Sequence, residues 1–164
     1  MPETDTPSRP TQTACTTDGA SDGRSETTAL RLTCGVDIVA VDRVGALVEE
    51  FGESVVDRLF TTAEVRYCRE QTNTAQSFAA RWAAKEATMK ALPPLSRSVS
   101  FDDVGVRKAE HGAPRLDLAA WVTEQFAHPP ATAVSLSHDR HSGTAAAQVL
   151  LMSNGACAAT EVSA

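Results

Sequence analysis

Three charged side chains, Lys85, Glu86 and Lys90, crowd onto or beside the apolar face of a helical segment, Phe78-Ala-Ala-Arg-Trp-Ala-Ala-Lys-Glu-Ala-Thr-Met-Lys90. At about 3.6 residues per turn, Phe78, Trp82 and Met89 form one narrow apolar stripe. Lys85 falls inside that stripe, and Glu86 and Lys90 lie along its border. Charges on a face meant for the core are costly unless they are paired or hold a ligand. Taken alone, Glu86 and Lys90 read as an i,i+4 surface bridge worth about 0.2–0.5 kcal/mol. A second acid, Asp37, lies on Leu30-Arg-Leu-Thr-Cys-Gly-Val-Asp-Ile-Val-Ala-Val41, which alternates like a half-buried strand. Leu30, Leu32, Cys34, Val36 and Ile38 share one parity there, and Asp37 takes the other. Gly35 beside it admits another backbone or a ligand. A further alternating run, Ala133-Val-Ser-Leu-Ser-His138, ends in a histidine. An acid on a strand, an acid flanked by lysines on a helix and a strand-end histidine suggest a site for a cation and phosphate. Two hard oxygen donors suit Mg²⁺, which keeps several waters and shares its shell with substrate phosphates. Lysine and arginine then meet the remaining phosphate charge.

The elements that must position these residues are legible along the chain. After the first strand, Asp42 caps a helix that runs to Phe51 and is stopped by Gly52. A second helical piece covers 54–60. Thr61 and Glu64 have capping-box spacing and open a helix to about Gln71. A loop over 73–77 leads into the charged helix, which Pro93-Pro94 stops. Residues 99–109 read as a strand, 110–114 as a turn and 115–118 as its partner. A short helix over 119–127 ends at Pro129-Pro130, and a last hairpin pairs 133–138 with 144–152. Helices in the middle with antiparallel strands around them define an α+β domain.

Together, Gly35-Val-Asp37-Ile and, some fifty residues later, Trp82-Ala-Ala-Lys-Glu86-Ala-Thr-Met-Lys90 resemble the 4'-phosphopantetheinyl transferase superfamily. The short chain, Ser135-Leu-Ser-His138 before a closing strand, and the His111-Gly-Ala-Pro114 turn are similar to its holo-[acyl-carrier-protein] synthase branch. The likeness runs from about Leu30 to Met152. It implies an antiparallel sheet with a central group of helices, and transfer of the 4'-phosphopantetheine arm of coenzyme A to a serine of an apo acyl carrier protein. The carrier would serve fatty-acid or polyketide synthesis, and adenosine 3',5'-bisphosphate would be released. The resemblance makes Asp37 and Glu86 the Mg²⁺ ligands, with Glu86 and Lys90 catalytic. Lys85 would meet coenzyme phosphate or snorkel along the Phe78/Trp82 surface. Arg81 takes a phosphate or ion-pair role, and His138 contacts the coenzyme or caps its own turn. Arg43 matches the arginine that grips the carrier's acidic helix. A homotrimer with sites between neighbours is implied, since the chain has one such motif set and no second half.

Two departures from the family pattern stand out. The carrier-facing helix carries Glu49 and Glu50 where the family tends to be basic, and Pro93-Pro94 replaces a common Gly. The rival reading is a paralogue that binds coenzyme A or a carrier without transfer.

Composition agrees with one domain over 30–152. The 164 residues carry a net charge of -6. Residues 1–29 have no Val, Ile, Leu or aromatic and set five acids against Arg9 and Arg24, so a disordered tail is expected. Residues 153–164 read as a frayed end. With no signal or transit pattern and no run of roughly twenty apolar residues, a cytoplasmic protein away from membranes is expected. Negative charge without a basic run argues against nucleic acid. Cys15, Cys34, Cys68 and Cys157 show no CxxC spacing and read as reduced.

Overall fold

The computed structural model describes residues 30–139 and 141–154. The expectations for the 1–29 tail and for 155–164 fall outside these residues, whereas Ser153 and Asn154, expected to be frayed, pair with Arg31 and Leu30. Strand β1 (Leu30–Ala40) leads into α1 (Val41–Phe51), α2 (Glu53–Leu59), α3 (Thr62–Glu70) and the long α4 (Thr74–Ala91). A 3₁₀ turn at Phe101–Asp103 opens the hairpin of β2 (Val104–Lys108) and β3 (Pro114–Leu118). Helix α5 (Ala120–Thr123) precedes the closing hairpin of β4 (Ala131–Asp139) and β5 (Thr144–Asn154). All pairings are antiparallel, one sheet having the order β1-β5-β4 and the other pairing β2 with β3. The α+β expectation is met.

Local chemistry accounts for the boundaries. Thr61 and Glu64 close the capping box of α3, as their spacing predicts. Gly52, at φ +59°, ends α1 in a conformation that side chains with a Cβ disfavour. Several expectations shift, and the short helix expected over 119–127 shrinks to Ala120–Thr123. Asp42 sits in the first turn of α1 and does not cap it, because Ala40 holds that place. Asn73 caps α4 by accepting from the Gln76 amide, so 74–77 is helix and not loop. The expected strand over 99–109 shrinks to Val104–Lys108, because Ser100 and Asp103 cap the 3₁₀ turn before it.

The burial of β1 reverses the usual pattern. Its aliphatic parity does not face the core: Leu30, Leu32, Val36 and Ile38 lie on the open side of the sheet, with Ile38 67% exposed. The other parity, Thr33, Gly35, Asp37 and Val39, meets α4. The reason is the closeness of the helix. A Cβ added at Gly35 would fall 1.9 Å from the Ala87 carbonyl oxygen. Helix α4 sets Ala87 and Ala91 into this seam, and Thr33 donates to the Ala91 carbonyl at 2.6 Å. No row of leucines fits there. Strand β5 follows the usual rule, burying Ala145, Ala147, Val149 and Leu151 and turning Leu150 and Met152 outward.

Around α4 the core is closed by Val44, Val56, Phe60, Cys68, Phe78 and Val122. The Phe60 and Phe78 rings lie 4.7 Å apart, and burying a side chain such as Phe78 stabilises by about 1.5–3 kcal/mol. Burial pushes the Cys68 thiol up to about 11. Since the thiolate is the reactive form, an alkylating reagent at pH 8, read by peptide mapping, should leave Cys68 unmodified in the folded protein and modify it after denaturation. Rapid labelling of folded protein would show that this part of the core opens.

Candidate active site

The C-terminal half of α4 and the middle of β1 bring three of the expected residues together. The Lys90 ammonium donates to Asp37 Oδ1 at 2.7 Å and to the Val36 carbonyl at 3.2 Å. Asp37 is mostly covered, whereas Lys90 is half open to solvent. The hydrogen bond that Lys90 donates to Asp37, aided by the charges of Asp37 and Glu86, holds Lys90 above the ordinary lysine range. A raised lysine keeps its proton at neutral pH, and its stabilising contribution is lost only as pH climbs through that raised value. Lys90 is therefore a fixed positive charge and not a base. Glu86 lies one turn before it, half-buried, and Oε1 accepts from the Trp82 indole N–H at 3.1 Å.

Two carboxylates around one ammonium leave net negative charge. That donor set fits Mg²⁺, which is bound through one or two carboxylates with waters and substrate phosphates completing the shell. Among the described residues, no group of three or more His, Cys, Asp or Glu gathers as a metal cage, so these two acids would need such outside ligands.

Arg81 and His138 go elsewhere. They line a cavity of about 210 Å³ with Tyr67, Arg107, Lys108 and Pro114. The Arg81 guanidinium stacks over the Tyr67 ring at 4.0 Å and donates to the Ser77 carbonyl, while its buried Nε has no hydrogen-bond partner. A buried N–H left over in a basic cavity suits an anion. Arg107, tied to Asp117, and Lys108 were missed in the sequence reading; the signal was two adjacent basic residues just before the His111–Pro114 turn. Arg43 is exposed on α1, as are Glu49 and Glu50.

Lys85 departs from its expected place on coenzyme phosphate. Its ammonium is wholly buried, donating to Glu64 Oε2 and to the Phe101 carbonyl, each at 2.8 Å. Burial pulls it below the ordinary lysine range, and Glu64 pulls the other way. Glu64 also accepts from the Thr61 amide and hydroxyl and, through Oε1, from the Val106 amide. One carboxylate thus joins α3, α4 and β2. The capping box was legible in sequence, but the burial of its acid was not.

The family model of the 4'-phosphopantetheinyl transferase superfamily matches residues 33–149. The holo-[acyl-carrier-protein] synthase of Geobacter sp. (strain M21) is 38% identical over 120 residues, covering 71% of this chain and 94% of the relative. That of Halothermothrix orenii is 40% identical over 82 residues, and there the match spans 50% of this chain and 66% of the relative. The crystal structure of Helicobacter pylori holo-[acyl-carrier-protein] synthase in complex with coenzyme A superimposes with a TM-score of 0.62 at 29% identity, covering 72% of this chain and 98% of that one. The chain belongs to the 4'-phosphopantetheinyl transferase superfamily, an enzyme family. Within it, the relatives it matches are of the holo-[acyl-carrier-protein] synthase type.

Removing one partner of a buried ion pair costs about 3–5 kcal/mol, because the other charge is left unpaired. Lys85→Met should therefore lower stability in urea by about that amount. A variant as stable as the wild type would show that the pair does not hold these elements together.

Proposed function

We propose that this chain transfers the 4'-phosphopantetheine arm of coenzyme A to a serine hydroxyl of an apo acyl carrier protein in a Mg²⁺-dependent reaction, releasing adenosine 3',5'-bisphosphate. The observation that carries the reading is the joint placement of Asp37, Glu86 and Lys90. The relatives' name and the coenzyme A of the H. pylori complex support it. Asp37 and Glu86 would hold Mg²⁺, and the ion when bound supplies charge neutralisation for the pyrophosphate. The chain's own residues do the rest. Glu86, directly or through a water, would accept the serine proton, and Lys90 would contribute its positive charge to the departing phosphate. The cavity of Arg81, Arg107, Lys108 and His138 suits the remaining coenzyme phosphate. Arg43 on α1 is the proposed contact for the carrier, and the proposed setting is the cytoplasm, where a fatty-acid or polyketide carrier is the acceptor.

The same reading includes a homotrimer. Leu30, Leu32, Val36, Ile38, Leu150 and Met152 form a continuous exposed apolar face across β1 and β5, paired in register as Leu32 with Met152 and Cys34 with Leu150. Faces of this kind mark association surfaces. Three copies of the sheet around an axis would cover it and set the acids of one copy beside the basic cavity of the next.

Intact mass spectrometry of an apo carrier incubated with coenzyme A and Mg²⁺ should show the added mass of one phosphopantetheine arm. Asp37→Asn and Glu86→Gln should each slow the addition on the order of 10²-fold with the fold intact. Near wild-type rates at low Mg²⁺ would remove that carboxylate from the site. Light scattering should give about three times the 17.3 kDa of one chain, and a fully active monomer would contradict the shared site.

A further inference from the structure

We propose that Trp82 is a positioning residue for Glu86, and that the buried Glu64–Lys85 pair holds Trp82 in place through Phe101. This rests on the reading that Glu86 acts in transfer. A carboxylate on a helix surface turns freely about its last torsions. Here the indole N–H, a donor only, reaches one turn along α4 to Glu86 Oε1 at 3.1 Å. That bond takes one of the roughly four acceptor sites of the carboxylate and leaves Oε2 without a claim from the indole. The hydrogen bond is charge-assisted, so it is among the stronger ways to hold a side chain.

The indole is held in turn. Its ring meets the Phe101 ring at 5.1 Å between centroids and 58° between planes, a tilted contact that fixes both rings. Phe101 lies on the 3₁₀ turn, and its carbonyl accepts from the Lys85 ammonium at 2.8 Å. Lys85 is tied to Glu64, which is tied to the start of α3 and to β2. A continuous line of contacts therefore runs from the interior to the reacting carboxylate. It gives Lys85 a use that does not require it to touch substrate, and it explains why an aromatic with an N–H sits four residues before Glu86.

Trp82→Phe keeps a ring against Phe101 and removes the N–H. It should lower kcat about 10- to 100-fold, the usual cost of losing such a supporting contact. KM for coenzyme A should stay within about twofold, the pattern expected of a group that acts only on the reacting carboxylate. Phe101→Leu, which keeps the carbonyl and loses the ring contact, should lower kcat in the same way. The contact itself can be read without turnover. The chain has two tryptophans, so an ¹⁵N-labelled sample gives two indole N–H signals, and Trp82→Phe identifies one of them. Glu86→Gln should move that signal upfield as the carboxylate is lost and leave the Trp121 signal in place. A Trp82→Phe enzyme with wild-type kcat would overturn the proposal. So would a kcat loss accompanied by an equal rise in KM, or an indole signal indifferent to Glu86→Gln. If the wild-type chain modified no carrier, the functional reading would fail, while the indole shift would still report the contact.

Discussion

Everything in the site depends on how closely α4 lies against β1. At Gly35 the helix backbone occupies the space a side chain would need, with Ala87 O only 1.9 Å from where a Cβ would be. The alanines of α4 and the Thr33 bond to the Ala91 carbonyl complete the seam. From this contact the rest follows. Asp37, two residues beyond Gly35, points to the same side of the strand and meets Lys90, three residues beyond Ala87. The cost of packing so tightly is that β1 must put its large aliphatics on the other face, where a second copy of the chain is the proposed cover. One steric constraint thus shapes the site and the association surface together.

Electrostatics then sort the charges of α4 by depth. Lys85 is buried outright and is tolerable only because Glu64 and a carbonyl surround its ammonium. Lys90, one turn and a half further, is half exposed and holds Asp37 at the surface of the seam. Glu86 lies between them, held by an indole and not by a cation. Neighbouring charges on one helix therefore do different work. One organises the interior, while Glu86 and Lys90, together with Asp37, form a group of net negative charge at the surface of the seam.

Much of this was legible in sequence. Element order, the antiparallel hairpins, the Thr61/Glu64 box and the grouping of Asp37, Glu86 and Lys90 could be read from spacing and from family resemblance. The burial parity of β1 could not. Alternation says that two faces differ, but not which one a helix covers, and the usual preference for aliphatics inside pointed the wrong way. Gly35 held the information, since a glycine in mid-strand marks close backbone approach, but its consequence needs the partner helix. Lys85 was misplaced for a related reason. Its mate Glu64 lies twenty-one residues away on another helix, and local pattern sees only pairs within one element. Arg107 and Lys108 looked like ordinary strand residues until the hairpin set them beside Arg81.

The central claim is that the Gly35 seam places Asp37 against Lys90 and so assembles the reacting group. The most direct measurement is the single-turnover transfer rate of Gly35→Ala, taken at a temperature where circular dichroism shows the variant folded. An added methyl must push α4 away from β1, and misplacing reacting groups by about 1 Å costs on the order of 10²-fold. A loss of that size in the folded enzyme is the predicted result. A folded Gly35→Ala enzyme transferring at the wild-type rate would contradict the account.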